Sequence, residues 1–225
     1  MRGAFSPARR RRHRPTLEVG ILNPMSLLIS IPGLLAAIMI HELSHGFMAD
    51  ALGDPTPRAA GRLSFNPLVH LDPIGTLMLI LFRFGWAKPV PINVMYFTDR
   101  RRGMLLTSLA GPASNFIAAV IASYFFMQFR FLGGTVLTML YYFLMYNLWL
   151  GLFNLLPIPP LDGSHIAKSL APYGSGLWHA MQQLDQYGWM LLILLLVFRV
   201  IPRVLFPVAN AMQGWIFSLV SLVVI

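Results

Sequence analysis

Cysteine is absent from this 225-residue chain. That excludes a disulfide framework, a thiolate metal site and a cysteine nucleophile. Charge is also scarce. Only 11% of residues are charged, where a soluble domain carries about a quarter. Acidic side chains are the rarest part of that set, 8 against 17 lysines and arginines. No internal repeat is visible, and no low-complexity tract beyond one arginine run. Residues 1–23 lack the apolar centre of a cleavable signal peptide. The net charge of +9 does not point to nucleic acid. Much of it is Arg9, Arg10, Arg11, Arg12 and Arg14, beside apolar spans, where basic flanks meet lipid headgroups or set topology.

What is present is apolar. Hydrophobic residues make up 56% of the chain, in long stretches that recur from residue 26 onward. The reading is an all-α polytopic membrane protein, because each backbone polar group must be satisfied within its own span. About five to six transmembrane helices are expected, with the lipid bilayer as a partner. Clear spans are 26–52, with a kink suggested at Pro32-Gly33, then 104–127 and 135–156. Two more candidates, 187–200 and 204–225, are separated by Pro202 and Arg203. Residues 164–186 read as polar and interfacial. Residues 58–102 break into short runs rich in Pro, Gly and basic residues. There, 86–97 reads as an extended edge strand or loop, since proline cannot donate to a central ladder. The chain divides into a basic, disordered tail over 1–23 and a single transmembrane domain over 24–225.

Inside the first span lies His41-Glu42-Leu43-Ser44-His45. Ionisable groups in lipid are expensive and are kept mainly where they act. Residues four apart share a helix face, so His41 and His45 can present two nitrogens to one ion. Glu42 is offset by about 100° and can reach a water on that ion instead. This is the logic of the HExxH zinc motif, with two ligands and a general base. The competing reading is a pair of histidines bonded to neighbouring helices, with Glu42 in a salt bridge.

A catalytic zinc needs a third protein ligand and an open position. The other histidines are His13, His70, His165 and His179. Asp162 is the better candidate, because it ends a span after a rigid proline run. Taken alone, Asp162-Gly163 reads more readily as an ordinary turn. His70 and Asp72 are either a supporting or gating pair or, more simply, interfacial loop residues.

The chain resembles the site-2 protease family of intramembrane zinc metalloproteases (peptidase family M50). The resemblance rests on His41–His45 and on Asn154–Gly163, which follows the pattern N-x-x-P-x-x-P-[LM]-D-G with Pro157 and Pro160 in place. Gly111-Pro112 on the intervening span adds to it. It implies that His41, His45 and Asp162 bind one Zn2+ and that Glu42 activates the water. It implies Asn154 as a donor to the scissile carbonyl; an amide that only packs between helices is the alternative. The implied partner is a membrane-protein substrate with a transmembrane helix, and the implied place is the cell membrane, with the site towards the cytosol. Residues 58–97 offer an edge strand to an extended substrate.

Topology supplies a check. Both motifs lie near the C-terminal ends of their spans, so those ends must share one side. That works only if 74–82 does not cross, so a re-entrant, half-length or hairpin element is expected there. Basic residues nearly balance on the two sides, and the arginine-rich tail opposes a cytosolic site. A metal transporter and an idle, helix-binding scaffold are the alternatives to a protease. A transporter favours ligands spread over several spans, often with a repeat.

Overall fold

The computed structural model describes residues 24–82 and 85–224. The basic tail over 1–23 lies outside the described residues. Among the described residues there are eight α-helices. They are α1 (Pro24–Ala51), α2 (Thr56–Ala59), α3 (Pro73–Phe82), α4 (Arg100–Gln128), α5 (Gly134–Asn154), α6 (Asp162–Leu170), α7 (Gly176–Val197) and α8 (Val200–Ser221). Among the described residues no strand is longer than an isolated antiparallel bridge between Leu71 and Ala87.

Four helices, α1, α4, α5 and α8, are long and apolar enough to cross a membrane. α7 is also 22 residues long, but Gln182, Gln183 and Asp185 make its first half polar. It is the fifth long helix of the bundle. α3 has 10 residues, which at about 1.5 Å per residue is roughly half of a 30 Å hydrocarbon layer. The expected non-crossing element is therefore a short helix rather than a hairpin.

The boundary between the last two helices differs from expectation. α7 starts at Gly176, where Ser175 accepts a hydrogen bond from the Trp178 N–H at 3.2 Å. It runs through the second part of the segment read as polar and interfacial, which is therefore helical. The break falls at Arg199, with φ of 55°, and not at Pro202. Pro202 sits in the first turn of α8, where a missing N–H costs no helical hydrogen bond.

α1, α4 and α5 pack against one another as the centre. Their contact is close at Gly33, where a Cβ would lie 2.9 Å from the Phe143 nitrogen. The predicted kink at Pro32-Gly33 is thus a site of helix approach, and α1 continues through it. α8 closes one flank through Ala209, Ile216 and Val220, packed on Ala119 and Leu148. α7 joins through Leu192, against Leu161, Ile201 and Leu205.

α6 is fastened to both neighbours. Arg101, in the first turn of α4, donates to the carbonyls of Ser169, Leu170 and Ala171 at the end of α6. Lys168 pairs with Asp185 on α7. These ties fix the helix that begins with Asp162.

Candidate metal centre

α1 carries His41 and His45 one turn apart, both buried and aimed towards α4. The Nδ1 of His41 lies 2.7 Å from Asn115 Oδ1. The Nδ1 of His45 lies 2.7 Å from the Thr107 carbonyl. The identity of the Asn115 atoms follows from its other bonds. Its Nδ2 donates to the Ala37 carbonyl at 3.1 Å and to Asn147 Oδ1 at 2.8 Å, so its oxygen is left for His41. Asn147 in turn donates to the Phe143 carbonyl at 2.8 Å. Both imidazoles therefore donate from Nδ1, and each neutral ring turns its Nε2 lone pair inward.

Those lone pairs meet. The two Nε2 atoms are 3.1 Å apart. Asp162 Oδ2 lies 3.2 Å from one and 3.3 Å from the other, and it has no other hydrogen-bond partner among the described residues. Three electron-rich atoms in a buried triangle repel one another unless a cation sits among them. A tetrahedral ion with bonds of roughly 2.0–2.1 Å has ligand–ligand edges of about 3.3 Å. The triangle matches that size. His41, His45 and Asp162 are also the group of potential metal-binding side chains found among the described residues.

The Asp162-Gly163 turn reading does not hold. Asp162 opens α6, and Leu161 is its N-cap. Gly163 is needed for close approach, since a Cβ there would fall 2.3 Å from the Leu155 carbonyl oxygen and 2.4 Å from that of Leu156. The end of α5 and the start of α6 are thereby pressed together, and this brings Asp162 under the histidines.

Glu42 stands beside the triangle. Its Oε2 accepts a hydrogen bond from the Val90 N–H at 3.0 Å. Asn154 lines the same space, but its Nδ2 donates to the Leu150 carbonyl of its own helix at 3.0 Å. His41, Glu42 and Asn154 together border a mostly apolar cavity of about 370 Å³. Leu34, Ile38, Phe153, Trp86 and Trp189 form its greasy walls. Trp86 and Trp189 meet edge to face in its wall, 6.1 Å between ring centroids.

His70 and Asp72 do not join the centre. His70 is fully buried and donates to the Ser64 carbonyl at 2.9 Å. Asp72 accepts from the Gly75 N–H at 2.7 Å and starts α3. His165, next along α6, is held below the ordinary imidazole value by burial and then by the Lys168 charge.

Sequence reading missed three supports. Asn115, Asn147 and Thr107 act on the histidine pair, as does Gly111 of the Gly111-Pro112 pair already noted. At Gly111 a Cβ would lie 2.4 Å from His45 Nε2 and 2.7 Å from His41 Cε1. The available signal was two asparagines inside apolar spans, where an unpaired amide is costly.

Residues 130–196 match peptidase family M50, a stretch that contains Asn154 and Asp162. "Putative zinc metalloprotease YwhC" of Bacillus subtilis is 37% identical over 88% of this chain and 94% of its own length. "Putative zinc metalloprotease Rip2" of Mycolicibacterium smegmatis is 28% identical over 92% of this chain and 75% of its own. "Putative zinc metalloprotease MJ0611" of Methanocaldococcus jannaschii is 28% identical over 74% and 82%. No solved structure matches the chain.

Proposed function

The chain belongs to peptidase family M50, and from that premise we propose that it is a zinc endopeptidase that cuts membrane proteins in or near their transmembrane segments. The observation that carries this reading is the convergence of two imidazole lone pairs and one buried carboxylate oxygen at the wall of an apolar cavity. His41, His45 and Asp162 hold the metal. Bound zinc supplies Lewis acidity and makes a water acidic enough to ionise near neutral pH.

The remaining work falls to the chain. Glu42 takes the proton of the attacking water and returns it to the leaving amine. Its Oε2 is held by the Val90 N–H, which leaves Oε1 for that task. Asn154 exchanges its bond to the Leu150 carbonyl for one to the scissile carbonyl oxygen. The apolar walls exclude bulk water, which strengthens both interactions.

Substrate docks as a strand. Lys88 donates to the His70 carbonyl at 2.9 Å, next to the Leu71–Ala87 bridge. In an antiparallel pair successive residues turn their backbone groups to opposite edges. The N–H and C=O of Ala87 thus sit on the outer edge, and Ala87 lines the cavity. An unwound substrate segment adds there. Residues 24–225 act as one membrane-embedded unit in the cell membrane. The cytosolic orientation of the site rests on the family resemblance, since basic residues nearly balance on the two sides.

The test is purified protein in detergent, assayed for zinc and for cleavage of a helical membrane substrate, with wild type and Glu42→Gln. Zinc in both proteins and cleavage only by wild type supports the protease. Metal flux into vesicles without cleavage, or zinc with neither activity, would replace it with a transporter or a scaffold.

A further inference from the structure

Glu42 is tied to a segment 48 positions away in sequence, and the sequence of that segment is unusual. Val90 lies between Pro89 and Pro91. Proline has no N–H, so Val90 carries the single main-chain donor of the three residues, and that donor meets Glu42 Oε2 at 3.0 Å.

The peptide just before it is held from both ends. The Lys88 N–H donates to the His70 carbonyl at 2.9 Å. The Lys88 carbonyl accepts from Arg62 Nη2. Arg62 is only 5% exposed and His70 is fully buried. The Arg62 Nε has no partner among the described residues. A buried, incompletely bonded guanidinium is a poor device for stability, since well-packed apolar replacements are often as stable or more so. A role in placing the Lys88 carbonyl accounts for it better. The same strand turns Ala87 and Pro89 to the cavity. Pressure from a docked substrate therefore reaches the segment that holds the base.

We propose that the Val90 N–H positions the Glu42 carboxylate, and that buried Arg62 sets that N–H in place by holding the Lys88 carbonyl. Arg62 is then a positioning residue that acts through the strand. The proposal rests on the reading of Glu42 as the general base, and its test separates the two.

The full chain, zinc-loaded in detergent and labelled with [15N]valine, reports hydrogen exchange at Val90, assigned by its loss in Val90→Ala. Arg62→Met should speed that exchange about tenfold, the scale of one lost hydrogen bond. It should lower kcat by a similar factor, with KM and zinc content close to wild type. Arg62→Lys, which keeps a donor, should recover most of both. Val90→Pro, which removes the donor without touching Arg62, should reproduce the kcat loss. Unchanged exchange at Val90 in Arg62→Met overturns the proposal. So does faster exchange with unchanged kcat, or a kcat loss matched by loss of zinc. The exchange arm needs no substrate, so a wild type that cuts nothing would sink the protease reading while the link from Arg62 to Val90 is still decided.

Discussion

The two halves of the site are built differently. The metal half lies on the helices α1, α4 and α6, and each imidazole has its own fixed acceptor, Asn115 or the Thr107 carbonyl. The cavity half is a loop wall over residues 85–91, with one isolated bridge and a few main-chain bonds to Glu42, Arg62 and His70. The first half is stiff and preset for an ion. The second leaves one edge of its strand open. Damage to the first should therefore appear as lost zinc, and damage to the second as lost turnover with zinc retained.

The sharpest separation comes from paired substitutions. Asp162→Ala should abolish stoichiometric zinc and all cleavage, since it removes the carboxylate and leaves two facing lone pairs; full zinc occupancy would break the scheme. Glu42→Gln should keep zinc and lose about 10²–10⁴-fold in rate, the usual scale for a general base. A comparable loss of zinc would assign Glu42 to the metal half instead.

Smaller effects probe the supports. Asn115→Ala frees the His41 ring and should weaken zinc binding about 10–100-fold, as for other partners of metal-bound histidines. Competition with a chelator measures it. Gly111→Ala places a methyl where His45 Nε2 now lies 2.4 Å away, and it should weaken zinc in the same assay. Gly214→Ala, with open space around it, is the matched control and should not. Least of all, Arg58→Ala should leave both zinc and turnover unchanged. Its pair with Asp50 is solvent-exposed, and such pairs contribute little.

The comparison also explains what the sequence could show. His41, Glu42 and His45 were legible because a four-residue period fixes one helix face. The half-length α3 followed from topology, because two ligand-bearing ends must share a side. Asp162 was ambiguous on local grounds, since Asp-Gly is common turn chemistry. Only the pressing of Gly163 onto the Leu155 and Leu156 carbonyls places it as the start of a helix. Asn115 and Asn147 were invisible as supports because their partners lie 74 and 32 residues away from Asn115, and no local period encodes that. The start of α7 was placed too late, at 187, for a related reason. Its ties run sideways, through Asp185 to Lys168, rather than along its own sequence.

Zinc K-edge absorption on the loaded, full-length wild type tests the central claim most directly. Two imidazoles and at least one oxygen are expected around the ion, at roughly 2.0–2.2 Å. A third imidazole, or a first coordination sphere without oxygen, would contradict that claim.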